Sequence, residues 1–238
     1  MYLRLKAPFA AFRPGDISRV PVAYRPTTAV PSPSTVYGLL LNLAAIEQRT
    51  AIDAPITLIR DDLPEMEIAI AVPHGAETTK TERAILSQQL HQYLVGASDK
   101  ELSKKTHGAK PWIAPIRREI LVNLDLLIGV RTEKWLCDRI LCGLNGELEE
   151  PRYGLPFAGD NNFLIDSIEQ FEHLPHQEQE TYRWYCPLEG NVYPSRGTCR
   201  LTVWIDRADN TKTQTAVFVP SAFSINPPDA AWIKLPLR

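Results

Sequence analysis

The chain has 238 residues, 44% of them hydrophobic and 23% charged, with a formal net charge of −2 at pH 7. This is ordinary globular composition for one elaborated domain or two small ones, and it rules out a polycation as a whole. No apolar run approaches the roughly 18 residues that span a bilayer. The start MYLRLKAPFAAFRPGD lacks the apolar centre of a signal peptide, so a cytoplasmic protein with no membrane partner is expected. Cys137, Cys142, Cys186 and Cys199 form no CxxC pair and read as reduced thiols.

Charge is sorted along the chain. Residues 80–134 carry ten basic and six acidic side chains, whereas residues 135–180 carry two and ten. One surface therefore suits a polyanion, and the rest faces another partner or solvent.

In chain order, residues 2–7 (YLRLKA) alternate and predict a strand. Residues 8–33 are rich in proline and predict a long loop, of a kind that is often functional. A helix follows in PSPSTVYGLLLNLAAIEQ, residues 31–48: Val36, Leu39, Leu40, Leu43 and Ile46 share one face, and Ser34 or Ser32 suits the N-cap. PITLIR (55–60) and MEIAIAV (66–72) are strand-like. Residues 74–118 are polar and basic and predict an excursion from the sheet. REILVNLDLLIGV restores a clear strand, and EKWLCDRILCGLNGE (133–147) predicts a second helix stopped at Gly146. PRYGLPFAGDNNF is a Pro/Gly loop, NFLIDSIEQF a short strand or turn, and TYRWYC, CRLTVWID and TAVFVP are three further strand candidates.

The order to residue 168 is strand, helix, strand, excursion, strand, helix, strand. This predicts an α+β, ferredoxin-like (RRM-like) domain over 1–168 and a small β-rich region over 169–238. The open face of such a sheet is a common platform for single-stranded RNA.

The N-terminal strand, the aromatic–Arg–Pro loop of Phe12, Arg13 and Pro14, the PSPSTVYGLLLNLA helix start, and the RREIL strand entry (Arg117 to Leu121) after a basic insertion occur together. In this combination the chain resembles the fifth CRISPR-associated subunit family of the RAMP superfamily, which caps the 5′ end of the guide RNA in Type I Cascade complexes. Within it, the chain looks most like the Type I-B-like branch, also found in CRISPR-associated transposons. The resemblance implies an RRM-like domain with a β-hairpin thumb, here within 74–118, and a small C-terminal domain. It implies a subunit that hooks the 5′ handle of the crRNA and docks the first backbone Cas subunit and the large PAM-sensing Cas subunit, with target DNA present in the assembled complex. No cofactor or metal is implied.

A helix N-terminus exposes unpaired N–H groups and attracts phosphate. Ser32, Ser34, Thr35 and Tyr37 add hydroxyls there, Gly38 permits close approach, and Arg13 and Arg25 lie upstream. In the basic excursion, Lys104, Lys105, His107, Lys110 and Arg117 can track a sugar–phosphate backbone, and Trp112 can stack on a base. Arg117 and Arg118 are strand neighbours and point to opposite faces, so only one of them can readily face RNA.

HLPH (173–176) has no third metal ligand nearby in sequence, GLPFAGDNN lacks the ending of a phosphate loop, and Cys137 and Cys142 read as core residues. The expected function is a non-catalytic crRNA-capping subunit for RNA-guided DNA targeting. The alternative is a metal-independent endoribonuclease for precursor crRNA, built on His91 or His107 with Lys104 and a tyrosine. A ferredoxin-like scaffold unrelated to RNA is a third reading.

Overall fold

The computed structural model describes residues 1–15, 24–51, 58–75, 80–91, 113–174, 180–189 and 195–237. Strand β1 (Tyr2–Ala10) is followed by a two-residue strand β2 (Tyr24–Arg25) and helix α1 (Pro33–Leu43). Then come β3 (Met66–His74), β4 (Glu82–His91) and the long β5 (Ile113–Thr132). Helix α2 (Lys134–Asn145) leads to β6 (Ser167–Phe171), β7 (Thr181–Pro187), β8 (Cys199–Trp204), β9 (Gln214–Ser224) and β10 (Ile233–Leu235).

Four strands form the centre in the order β6-β1-β5-β3, every pair antiparallel. With α1 and α2 as the two crossovers, this is the split βαβ order expected from the sequence. The C-terminal strands do not form a sheet of their own. β7 joins the edge of β3, and β9 and β8 follow it, so one sheet runs from β6 to β8. The expected boundary at 168/169 falls inside β6.

Period-two alternation sends Leu3, Leu5, Ile68, Ile70, Leu126, Ile128 and Val130 to one face of the sheet, where they bury against Leu40, Leu41, Leu136 and Ile140 of the helices. Full burial of each such leucine contributes about 1.5–3 kcal/mol. The helices themselves cross closely. A Cβ at Gly143 would collide with the Leu43 carbonyl oxygen, and the Arg139 Nε donates to the Ala44 carbonyl at 2.6 Å, which satisfies one acceptor at the end of α1.

The opposite face of the sheet, expected to be open, is covered. Small residues on this face, Ala69, Ala71 and Gly129, leave a trough that takes Trp232, and a Cβ at Gly129 would lie 2.9 Å from the Trp232 ring. Leu174, Tyr182 and Trp184 pack beside it. Deeper on this face, Arg4 binds Asp125 through two 2.9 Å hydrogen bonds and Glu180 through a 2.9 Å ion pair. Tyr182 donates to Glu180 at 3.2 Å. An RNA platform on this part of the sheet is therefore excluded, because apolar and ionic side chains of the C-terminal third already occupy it.

One further expectation changes. Of the predicted strand 55–60, residues 55–57 lie outside the described residues, and Ile59 makes only an isolated bridge to Arg49. The basic excursion is a hairpin: β4 pairs with β5 from Glu82↔Val122 to His91↔Ile113. Beyond that hairpin, β5 turns from β4 to the central sheet at Asn123, which adopts φ 55° and whose carbonyl accepts from Thr81 at 3.0 Å. Asparagine tolerates this left-handed conformation better than most residues.

Candidate nucleic-acid interface

The start of α1 is capped by Ser32. Its side chain accepts from the Thr35 N–H at 3.3 Å, and Pro33 supplies a pre-set φ in the first turn. Ser34 instead donates to the Thr202 carbonyl of β8 at 3.1 Å, tying the helix start to the C-terminal strands. Tyr37 is 1% exposed. Its hydroxyl donates to the Pro64 carbonyl at 2.9 Å and its ring meets Trp204 edge-on at 5.6 Å. Tyr37 is thus a core residue and cannot stack on a base, and Ser32 is buried as a cap. The helix period that placed both near the first turn does not say which way each one faces; β8, remote in sequence, decides that.

What α1 leaves open is its outer face. Thr35 is exposed, and the space above Gly38 holds only the Gln48 amide, 3.6 Å from where a Cβ would sit. Ser34, Thr35, Gly38 and Asn42 form one wall of a groove of about 650 Å3. The other walls are the turn 45–48, the loop 151–157 and Arg207.

That loop is held at two points. Asn42 Nδ2 donates to the Tyr153 carbonyl at 2.7 Å. At the far end, the Ala11 N–H donates to the Ala158 carbonyl at 3.1 Å, and Gly159 adopts φ 80°. A Cβ there would overlap the Ala11 carbonyl oxygen and come within 2.5 Å of Phe12.

The hairpin supplies a second region. Arg117 and Arg118 alternate as expected. Arg118 turns inward to Asp160 at 2.7 Å and lies 5.5 Å from the Phe163 ring. Burial raises the Asp160 pKa, but hydrogen bonds from Asn162 and Arg118 outweigh it and leave the carboxyl below its ordinary range. Arg117 is exposed. On its face of the hairpin, Glu119 accepts from the Tyr24 hydroxyl at 2.6 Å, the Thr27 N–H at 3.0 Å and Arg83 at 3.1 Å. Burial raises its pKa too, and these partners together hold it low. Glu119 thereby adds side-chain ties from β5 to β2 and to Thr27 just after it. Arg13 and Arg25 are exposed, and among the described residues neither they nor Arg117 has an ion pair.

Of the residues singled out from the sequence, the structure thus gathers Ser34, Thr35 and Gly38 at the groove. It leaves Arg13, Arg25 and Arg117 exposed, and it buries Ser32 and Tyr37. Lys104, Lys105, His107, Lys110 and Trp112 lie outside the described residues, as does His176; His173 is exposed. Sequence reasoning missed Arg49, Arg152, Tyr153 and Arg207. The only signal was an aromatic inside a Pro/Gly loop, and its partners are distant along the chain.

No known family profile matches the chain, and no curated protein matches it. Among solved structures, the chain is similar to one described as "Crystal structure of Cas protein", with a TM-score of 0.42 and 12% identity over 93% of this chain and 92% of that chain. It is also similar to a chain described as "CRISPR RNA-guided surveillance complex", with a TM-score of 0.54 and 15% sequence identity. That second likeness covers 97% of this chain and 95% of the other, so the two share a fold along nearly their whole length.

Proposed function

We propose that the protein is a guide-RNA-binding subunit of a CRISPR effector complex of the Cascade type, holding the 5′ handle of the crRNA and docking neighbouring Cas subunits. The observation that carries this reading is the chain-long likeness to a component of a CRISPR RNA-guided surveillance complex, which reaches from β1 to the C-terminal strands. The β4–β5 hairpin stands where the resemblance puts the thumb, with Arg117 exposed midway along it and the lysine-rich segment 92–112 joining its strands. Arginines without carboxylate partners suit a phosphate backbone. Through the Phe12-Arg13-Pro14 loop, the PSPSTVYGLLLNLA helix start and the RREIL strand entry the chain resembles the Type I-B-like branch, and that resemblance implies a subunit that holds RNA without cutting it.

The test is binding of repeat-derived handle RNA across a salt series, with an unrelated RNA for comparison. A steep salt dependence together with preference for the handle is expected. Equal, weak binding of both RNAs would refute handle recognition. Specific cutting of the repeat in EDTA would favour the endoribonuclease alternative.

A further inference from the structure

One tyrosine in the groove is built as a platform. Tyr153 is 63% exposed, and the Arg49 guanidinium lies over its ring at 3.5 Å from the centroid. Arg49 is itself fixed, by two 2.7 Å hydrogen bonds to the two oxygens of Glu47. One face of the ring is therefore covered by a planar cation and the other is open to solvent. Asn42 fixes the backbone beneath the ring through its 2.7 Å bond to the Tyr153 carbonyl.

The surroundings match such a platform. The groove volume of about 650 Å3 lies within the range of small-molecule sites, about 300–1,000 Å3. Leu39 and Phe157 give apolar wall. Arg152 and Arg207 line the groove, and among the described residues neither has an ion pair. Glu47, the carboxylate on the wall, is neutralised by Arg49. A nucleotide within a strand presents the π-face of its base and is flanked by a phosphate on each side, so it uses all of these features together. A purely apolar occupant packed on Tyr153 would leave the two arginines without a charge partner.

We propose that this groove is a nucleobase pocket: the open face of Tyr153 takes one base of a bound single strand, and Arg152 and Arg207 take the phosphates beside it. The pocket rests on the RNA-binding reading above and adds to it the place where a base is gripped.

The experiment presents the full chain with short single-stranded RNAs carrying 2-aminopurine at each position in turn, for wild type, Tyr153→Ala, Tyr153→Phe and the double variant Arg152→Ala with Arg207→Ala. Quenching at one position is expected for wild type and Tyr153→Phe. Tyr153→Ala should lose that quenching and bind about 5- to 140-fold more weakly with an unchanged salt slope. The arginine pair should keep the quenching and lower the slope by about 0.7 for each phosphate no longer neutralised. Because Tyr153 is mostly exposed, the variants should unfold at the wild-type urea concentration. Wild-type binding by Tyr153→Ala, with weakened binding by Arg117→Ala, would show that RNA is held on the hairpin and that the pocket is wrong while the RNA reading stands. Failure of the wild type to bind any of the RNAs would remove both. Loss of a protein subunit from the assembled complex in Tyr153→Ala, with RNA binding intact, would make the groove a protein dock and overturn the proposal.

Discussion

Gly159→Ala tests whether the groove loop is held by close packing or only by its own turn. Two glycines in this loop have left-handed backbones, Gly154 at φ 70° and Gly159 at φ 80°. The conformational cost of a Cβ is therefore shared, about 1–2 kcal/mol at either site. It is partly offset by the reduced entropy of the unfolded chain, about 0.4–1 kcal/mol. The spaces differ. Around Gly154 nothing lies within 4 Å of the added carbon, whereas at Gly159 it would overlap the Ala11 carbonyl oxygen and come within 2.5 Å of Phe12. Overpacking of this kind costs about 1–3 kcal/mol more. Gly154→Ala should thus destabilise by about 1 kcal/mol and Gly159→Ala by about 2–4 kcal/mol. The assay is urea unfolding of both variants with slopes compared, together with exchange of the Ala11 amide, which donates to the Ala158 carbonyl. Faster Ala11 exchange should accompany Gly159→Ala alone. Equal midpoints for the two variants, with Ala11 exchange unchanged, would refute the idea that close approach to residues 11 and 12 seats the loop.

Three other outcomes follow from the same geometry. Ser32→Ala should cost about 0.5–2 kcal/mol as a lost cap, while Ser34→Ala should cost about 0.5–1.5 kcal/mol through its lost bond to Thr202; thermal unfolding of the two single variants and the double variant measures both, and a neutral Ser32→Ala would contradict the capping geometry. Gly129→Ala should push Trp232 off the sheet and destabilise by about 1–3 kcal/mol, read from unfolding and from tryptophan emission; an unchanged spectrum and midpoint would argue against the covered face. Asp160 has a lowered folded-state pKa, so its contribution is full above its ordinary value of 3.8 and is lost as pH falls through the lower folded value. Arg118→Met should flatten stability against pH in that acid window and leave the neutral-to-alkaline range parallel to wild type; an unaltered acid limb would show that the Arg118–Asp160 pair does not set it.

The sequence by itself determined the elements that repeat. Alternation in YLRLKA, MEIAIAV and LLIGV, and the 3.6-residue spacing of Val36, Leu40 and Leu43, follow from one face per element carrying the large apolar side chains between sheet and helices, so the split βαβ centre was legible before any neighbour was known. Proline and serine before α1 announced a capped start for the same local reason. Tertiary structure decided what those elements face. Whether Tyr37 points to RNA or into the core depends on β8, more than 150 residues away, because Trp204 and Pro64 close around its ring and hydroxyl. Whether the second face of the sheet stays open depends on Trp232, which finds room only because Ala69, Ala71 and Gly129 are small and lie close together on the paired strands β3 and β5. The pairing of Arg118 with Asp160 and the stacking of Arg49 on Tyr153 are likewise long-range. Periodicity reports that a residue has an inside and an outside, whereas the identity of its neighbour is set by contacts between elements far apart in the chain, which a local pattern does not name.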